Sequence, residues 1–307
     1  MEHSQSSRLA HPDKGRVAIV TGAGKSLGAA FALALGARGF KIVVNNRRRA
    51  GEPSSADAMV RRLRDGGVEA VPEYSDVAEP GAAEALVSEA IGAFGRLDAV
   101  VCNAGVVGDT GWFGKFGLDS FRAAMETNFF ANVSLSLAAL PHLKESDAGR
   151  LVFVSSAAGL YGARGLAPYA ATKGALTSFA LTLGDELKRY GVCVNVLTPF
   201  ALSQMTAEAM QADGAMATPE ATAPAVAWMA SADCDVTGQI WVACGGRYRR
   251  AVTVETKGGR GENTPEWLAA NAGALSDMNG ARTFPGAQEA FQDIFAEVSA
   301  EYRGGKV

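Results

Sequence analysis

Residues 16–28 read RVAIVTGAGKSLG: a β-rich apolar run, a turn carrying Gly22, Gly24 and Gly28, and the start of a helical pattern. A strand that meets a helix through glycines lets the backbone approach a pyrophosphate, which then sits at the positive helix N-terminus. Glycine turns of this kind also serve close strand–helix packing, so the turn by itself is a moderate signal. A rival reading starts from Gly24-Lys25-Ser26, which ends like the phosphate loop GxxxxGK[ST]. The glycine that should open that loop falls on Ile19, inside the strand. Dinucleotide binding therefore stands ahead of ATP or GTP binding.

The same alternation continues outward from this turn. Apolar runs recur at 41–45 (KIVVN), 68–74 (VEAVPEY), 97–103 (LDAVVCN), 150–156 (RLVFVSS), 192–197 (VCVNVL) and 239–243 (QIWVA), with helical spacing between them. Strands separated by helices require right-handed crossovers and a mostly parallel sheet, and near-continuous apolar strands suit a sheet covered on both faces. The expected fold is α/β, a doubly wound parallel sheet of about seven strands. Residues 1–14 read as a polar tail and 15–246 as the dinucleotide-binding domain. Residues 247–307 read as an extension too short to hold its own core easily, packing on the domain or on a partner subunit. In it, Thr264 and Pro265 mark a helix start, and a last helical pattern runs from about Gln288 to Tyr302.

The chain has 307 residues, 48% hydrophobic and 20% charged, with a net charge of −3, so nothing points to nucleic acid or an anionic membrane. No apolar run reaches membrane-helix length. The N-terminus has no secretory signal pattern, and the C-terminal RGGKV is neither a peroxisomal nor a lipidation tail, which makes a cytoplasmic location the default expectation. Cys102, Cys193, Cys234 and Cys244 form no CxxC pair and His3, His11 and His142 no ligand set, so no metal site is expected.

Tyr169-Ala170-Ala171-Thr172-Lys173 places a phenol and an ammonium one helical turn apart on the same face. A phenol titrates near pH 10 in water, and a neighbouring positive charge lowers that value towards useful proton exchange. Alone, the pair also fits an ordinary helix with a packed tyrosine and a solvated lysine.

Together these segments resemble the short-chain dehydrogenase/reductase family over about residues 15–246. The family's glycine loop TGxxxGxG matches Thr21, Gly22 and Gly28. Ser26 stands at the middle glycine, and Gly24 is the expected source of the missing flexibility. The resemblance implies a Rossmann sheet of order 3-2-1-4-5-6-7. It also implies a catalytic set of Ser156, Tyr169, Lys173 and Asn128, with Ser156 at the family's spacing of thirteen residues before Tyr169. Ser156, preferred to Ser155, would bond the substrate oxygen, Lys173 would hold the nicotinamide ribose, and Asn128 would position a water joining Lys173 to solvent. The plainer role for Asn128 is pairing with backbone in a kinked helix. Implied cofactor contacts are Gly22, Gly24, Lys25, Ser26, Leu27 and Gly28; Asn46 and Arg47; Asp76 and Val77 beside the adenine; Asn103, Ala104 and Gly105; then Tyr169, Lys173 and Pro199.

NAD users of this family carry an acid where this chain has Asn46, and Arg47 follows as a bidentate phosphate partner. With Lys25, this favours NADP(H), while NAD(H) stays open. The plainer reading takes Arg47, Arg48 and Arg49 as a solvated turn, Asp76 as a helix N-cap and Asn103 as a turn residue.

The strand ending VVN, the pattern Pro199-x-Ala201-x-Ser203-x-Met205-Thr206 and the late GGRxxRAV stretch resemble the dehydrogenase part of multifunctional enzyme type 2. That resemblance implies a 3-hydroxyacyl-CoA or hydroxysteroid-like substrate, with Trp112, Phe113, Leu160, Tyr161 and Leu166 lining an apolar pocket. The Trp112–Phe113 pair could equally pack beneath a loop. Alternatives are an NADPH-dependent 3-oxoacyl reductase and a catalytically silent dinucleotide-binding regulator. A homodimer or homotetramer is expected through the helices before strands five and six. Leu176, Phe179, Leu183 and Leu187 permit such an interface, though an internal core face would look the same.

Overall fold

All four residues of the first strand, β1 (Val17–Val20), are fully buried, as the centre of a sheet covered on both faces demands. Burying each such valine or isoleucine contributes roughly 1.5–3 kcal/mol. The structure is a computed structural model that describes residues 13–200, 218–262 and 264–303. In chain order, β1 is followed by α1 (Ser26–Ala37), β2 (Lys41–Asn45), α2 (Ser55–Asp65), β3 (Ala70–Glu73), α3 (Ala82–Phe94) and β4 (Ala99–Cys102). The second half holds α4 (Leu118–Met125), α5 (Ala131–Glu145), β5 (Arg150–Val154), α6 (Ala157–Tyr161), α7 (Ala167–Leu187), β6 (Cys193–Pro199), α8 (Ala223–Met229), β7 (Gln239–Cys244) and β8 (Arg247–Ala251).

Local chemistry explains the helices. In α2, Ala56, Met59, Val60 and Leu63 are buried at the i, i+3, i+4, i+7 spacing, and the Ser54 hydroxyl caps the start by accepting from the Asp57 amide at 3.2 Å.

The eight strands form one sheet in the order β3-β2-β1-β4-β5-β6-β7-β8, with β1 to β7 all parallel. This is the doubly wound Rossmann sheet expected from the sequence, plus one strand. β7 turns into β8 through Gly245 (φ +52°) and Gly246 (φ +77°), a two-residue turn with both angles positive, which makes an antiparallel hairpin. The chain leaves β1 in one direction and β4 in the other. The connections leaving their carboxyl ends therefore part and open a crevice, the usual ligand position in such sheets.

The chain divides into two compact units, Met1–Arg250 and Ala251–Val307. The second unit contains α9 (Pro265–Leu275), capped by Thr264 accepting from the Trp267 amide at 3.2 Å, and α10 (Ala287–Arg303). None of its described residues is buried within the chain. Along α10, Phe291, Ile294, Phe295 and Val298 form an exposed apolar stripe. No helix among the described residues is long and apolar enough to cross a membrane.

Of the α7 residues expected at an interface, Leu176 and Leu187 are buried inside the unit, while Phe179 packs edge-on to Phe129 and Phe153. The exposed apolar groups of this region are instead Phe130, Leu137 and Leu181.

Candidate active site

A cavity of about 720 Å³ lies across the carboxyl ends of the strands, where the connections after β1 and β4 part. Its walls include Gly22, Lys25, Ser26, Leu27 and Gly28 from the first turn, and Asn46, Arg47, Asp76 and Val77 from the ends of β2 and β3. Asn103, Ala104, Gly105, Ser156, Tyr169, Lys173 and Pro199 line it too. Gly24 and Asn128 are not on the walls.

The first turn is held by a two-way clasp between β1 and β4. The Thr21 hydroxyl accepts from the amides of Asn103 (2.9 Å) and Ala104 (3.0 Å), and the Asn103 side chain donates to Thr21 O at 2.8 Å. Asn103 thus shapes the sheet edge. At Gly28 any Cβ would run into Gly22 O and come within 2.6 Å of Asn103 Nδ2, so α1 begins close against the turn only because this residue is glycine. Lys25 caps α1 without a side-chain bond, so the first amides of the helix keep their donors for a ligand. This cradle, its free amides and the cavity's size fit a dinucleotide.

The expected compensation by Gly24 does not occur. Ser26 itself takes the left-handed conformation, φ +50°, the only non-glycine to do so among the described residues, and Gly24 does not adopt positive φ. A Cβ on Gly24 would meet the Ser55 hydroxyl and stand 2.9 Å from Asn46 Cγ. Gly24 is therefore needed for packing on the β2–α2 loop.

At the far end, Asn46 donates from Nδ2 to Ser55 Oγ at 2.8 Å. The arginine run is not simply solvated, because each member faces an acid. Arg47 pairs with Asp76 at 2.8 Å and Arg49 lies 3.8 Å from Glu52. Arg48 lies 3.4 Å from Asp57 and stacks over the Tyr74 ring at 4.2 Å. Asp76 also accepts from the Ala78 amide at 3.2 Å and so caps a turn; it is not the helix N-cap of the plainer reading, because α3 begins at Ala82 with Gly81 at its N-cap. Desolvation pushes the Asp76 carboxyl up, but Arg47 and the Ala78 amide together hold it below its ordinary value. Lys25 is exposed on the cavity wall and its side chain bonds no described residue.

At the near end, Ser156 ends β5 as the cap of α6, its hydroxyl accepting from the Ala158 amide at 3.2 Å. Burial holds the Tyr169 phenol above its ordinary value, and the neighbouring Ser156 hydroxyl offsets only part of that rise. Ser155 is spent on structure: its hydroxyl donates to Lys173 O (3.0 Å) and shares a bond with Thr177 Oγ1 (2.8 Å). Lys173 is 4% exposed, and its Nζ lies 5.8 Å from the Tyr169 ring centroid and donates to Val154 O at 2.8 Å. Burial lowers its pKa to about 8. The nearby Cys102 thiol is pushed up to about 12 by burial and so supplies no counter-charge. An ammonium has three donors, and the described residues take one.

Asn128 is fully buried in a π-helical turn, Glu126–Phe130, between α4 and α5. Its amide accepts from Val106 N (2.8 Å) and donates to Val106 O (2.8 Å) and Thr172 Oγ1 (3.0 Å). The backbone-pairing role is thus present, and it ties the β4 loop to α7 one residue from Lys173.

No cofactor motif marks Asn45, yet it stands on the cavity wall. Its side chain accepts from Gly22 N (3.3 Å) and donates to Glu73 (2.7 Å) and Ser75 O (3.0 Å), joining three strand ends. The available signal was a single amide closing an otherwise apolar strand.

Trp112, Phe113 and Tyr161 are exposed, which excludes packing beneath a loop. Their loops are joined by Gly111 N donating to Gly165 O (2.8 Å) and by Arg164 over the Trp112 ring (5.7 Å). Leu160 and Leu166 are half-buried. Ala201, Ser203, Met205 and Thr206 lie outside the described residues. Phe200 donates from its amide to Ala243 O at 2.8 Å and extends the β6–β7 pairing.

The family described as short chain dehydrogenase matches residues 16–214. A short-chain type dehydrogenase/reductase of Mycobacterium tuberculosis is 33% identical over 275 residues, covering 87% of this chain and 96% of that protein. Peroxisomal multifunctional enzyme type 2 of Mus musculus is 33% identical over 278 residues, covering 87% of this chain but 37% of that protein. The crystal structure of a short chain dehydrogenase from Mycobacterium avium superposes with a TM-score of 0.76 at 31% identity, covering 88% of this chain and 97% of that one.

Proposed function

The chain belongs to the short-chain dehydrogenase family and is an oxidoreductase of CH–OH groups, and from that premise we propose a specific chemistry: hydride exchange between NADP(H) and an apolar ketone or secondary alcohol, with Tyr169 moving the proton. The observation that carries the proposal is the meeting of Ser156, Tyr169 and a buried Lys173 on one wall of the cavity. The nicotinamide, when bound, supplies or accepts the hydride.

In the reduction direction Tyr169 gives its phenolic proton to the substrate oxygen, and in oxidation its phenolate takes that proton. Ser156 donates to the same oxygen and stabilises the negative charge that develops there. Lys173 stabilises the phenolate by its charge, and its two remaining donors would hold the ribose hydroxyls of a bound cofactor or a water. Asn128 keeps the β4 loop and α7 in register. Lys25 and Arg47, with an amide rather than an acid at Asn46, favour a cofactor carrying a 2′-phosphate.

The substrate class follows from the resemblance to multifunctional enzyme type 2 and from the exposed Trp112, Phe113, Leu118 and Tyr161. A bulky apolar chain, as in a 3-hydroxyacyl-CoA or a hydroxysteroid, suits those side chains. Self-association through the exposed Phe130, Leu137 and Leu181 is part of the same proposal. So is a covered position for residues 247–307, whose apolar stripe needs a partner surface. A screen of carbonyl compounds with NADPH, followed by nicotinamide absorbance, tests the reading. Turnover of bulky apolar ketones is expected. Binding of ATP in preference to both nicotinamide dinucleotides would overturn it.

A further inference from the structure

Three cations line the cavity, and they differ in how they are held. Lys173 is buried and belongs to the reacting end. The Lys25 side chain bonds no described residue. Arg47, the natural partner for a 2′-phosphate, is engaged by Asp76 at 2.8 Å. The engagement is built by the backbone: Asn46 N donates to Glu73 O (3.0 Å) and Arg48 N to Tyr74 O (3.2 Å), which sets the ends of β2 and β3 side by side. The Ala78 amide then orients the Asp76 carboxylate. Arg48 and Arg49 are not on the cavity wall; they face Asp57 and Glu52.

We infer that Asp76 is a specificity-determining counter-ion: it occupies Arg47 and places a negative charge where a 2′-phosphate would approach, so that it restrains the preference for NADP(H) and keeps NAD(H) competitive. This rests on the reading of the cavity as a nicotinamide dinucleotide site. A 2′-hydroxyl meets neither effect, because it carries no charge and does not need the whole guanidinium. A 2′-phosphate must draw Arg47 from its carboxylate and stand beside that carboxylate. Arg47 is about half exposed and Asp76 about one-third exposed, so the restraint is modest.

The test is Asp76→Asn, which keeps the shape and can still accept from the Ala78 amide. NADPH and NADH affinities are measured by fluorescence titration of the full chain, in wild type, in Asp76→Asn, and in both forms with Arg47→Ala added. Any lost adenine contact weakens both dinucleotides alike and cancels in the ratio. The NADPH-to-NADH affinity ratio is expected to rise about 2- to 5-fold in Asp76→Asn, the range of an exposed ion pair. In the Arg47→Ala background the rise should shrink, which marks the coupling. An unchanged ratio, with both dinucleotides bound by wild type, overturns the inference and leaves the cofactor reading standing. A rise of equal size without Arg47 also overturns it. Failure of wild type to bind either dinucleotide overturns both.

Discussion

The two ends of the cavity are built by opposite means. At the end formed by β5 and α7, the polar groups are buried and tied to backbone: Lys173 to Val154 O, Ser155 to Lys173 O, Asn128 to both polar atoms of the Val106 backbone. At the end formed by β2 and β3, the charges of Arg47, Arg48 and Arg49 are exposed and face acids across short loops. Buried groups have few ways to move and a low local dielectric, so they can tune a proton transfer. Exposed ion pairs contribute at most about 1 kcal/mol each, enough to choose between two cofactors but not to run a reaction. Substitutions at the first end should therefore change rates by orders of magnitude, and at the second by small factors.

The largest effect short of the phenol itself is expected for Lys173→Met. Loss of about 10²-fold or more in turnover is anticipated, measured at saturating cofactor. The same variant tests the burial of the ammonium. The folded pKa of Lys173, about 8, lies below the ordinary lysine value near 10.4, so burying the charge costs stability at neutral pH. The unfolded chain binds the additional proton between these values, and wild-type stability gains on that account as pH rises from about 8 to about 10.4. The stability of wild type minus that of Lys173→Met, from denaturant curves, should increase across this window. A flat difference would mean that Lys173 is solvated, and the contrast between the two ends would collapse.

At the exposed end, Asn46→Asp restores the acid that NAD users carry. NADPH binding should weaken about 5- to 10-fold, with NADH unaffected or improved, as titration of the two would show. Equal loss for both would place the 2′ position elsewhere. The smallest effect is expected at Ser26, whose left-handed backbone costs an L-residue roughly 1–2 kcal/mol, part of it offset by the greater chain freedom that glycine brings. Ser26→Gly should stabilise the protein by up to about 1 kcal/mol in denaturant curves, and a destabilised variant would refute the strain.

The sheet was legible because parallel strands buried on both faces must be apolar, and the runs around Ile19, Val43, Val100 and Val152 are. β8 was not, since RYRRA is a charged edge strand with no apolar alternation to betray it; the Gly245–Gly246 turn was its one mark. The residues gathered at the reacting end were legible as a set through the spacing of Ser156, Tyr169 and Lys173. What escaped the sequence were relations between loops. Arg47 and Asp76 lie 29 residues apart and meet only because β2 and β3 are neighbours. Asn45 joins three strand ends that no local pattern connects. The conformation of Ser26 is likewise a demand of the turn on whatever residue stands there. On α7, the apolar face containing Leu176 and Leu187 proved to be core, which periodicity cannot tell from an interface.

The most direct test of the central claim is Tyr169→Phe, which removes one oxygen and leaves the helix, the cavity wall and Lys173 in place. Cofactor binding should persist in a fluorescence titration while turnover of an apolar ketone falls by about 10²–10⁴-fold, the usual contribution of a positioned proton donor. Turnover near the wild-type rate, with cofactor bound normally, would contradict the assignment of the proton to Tyr169.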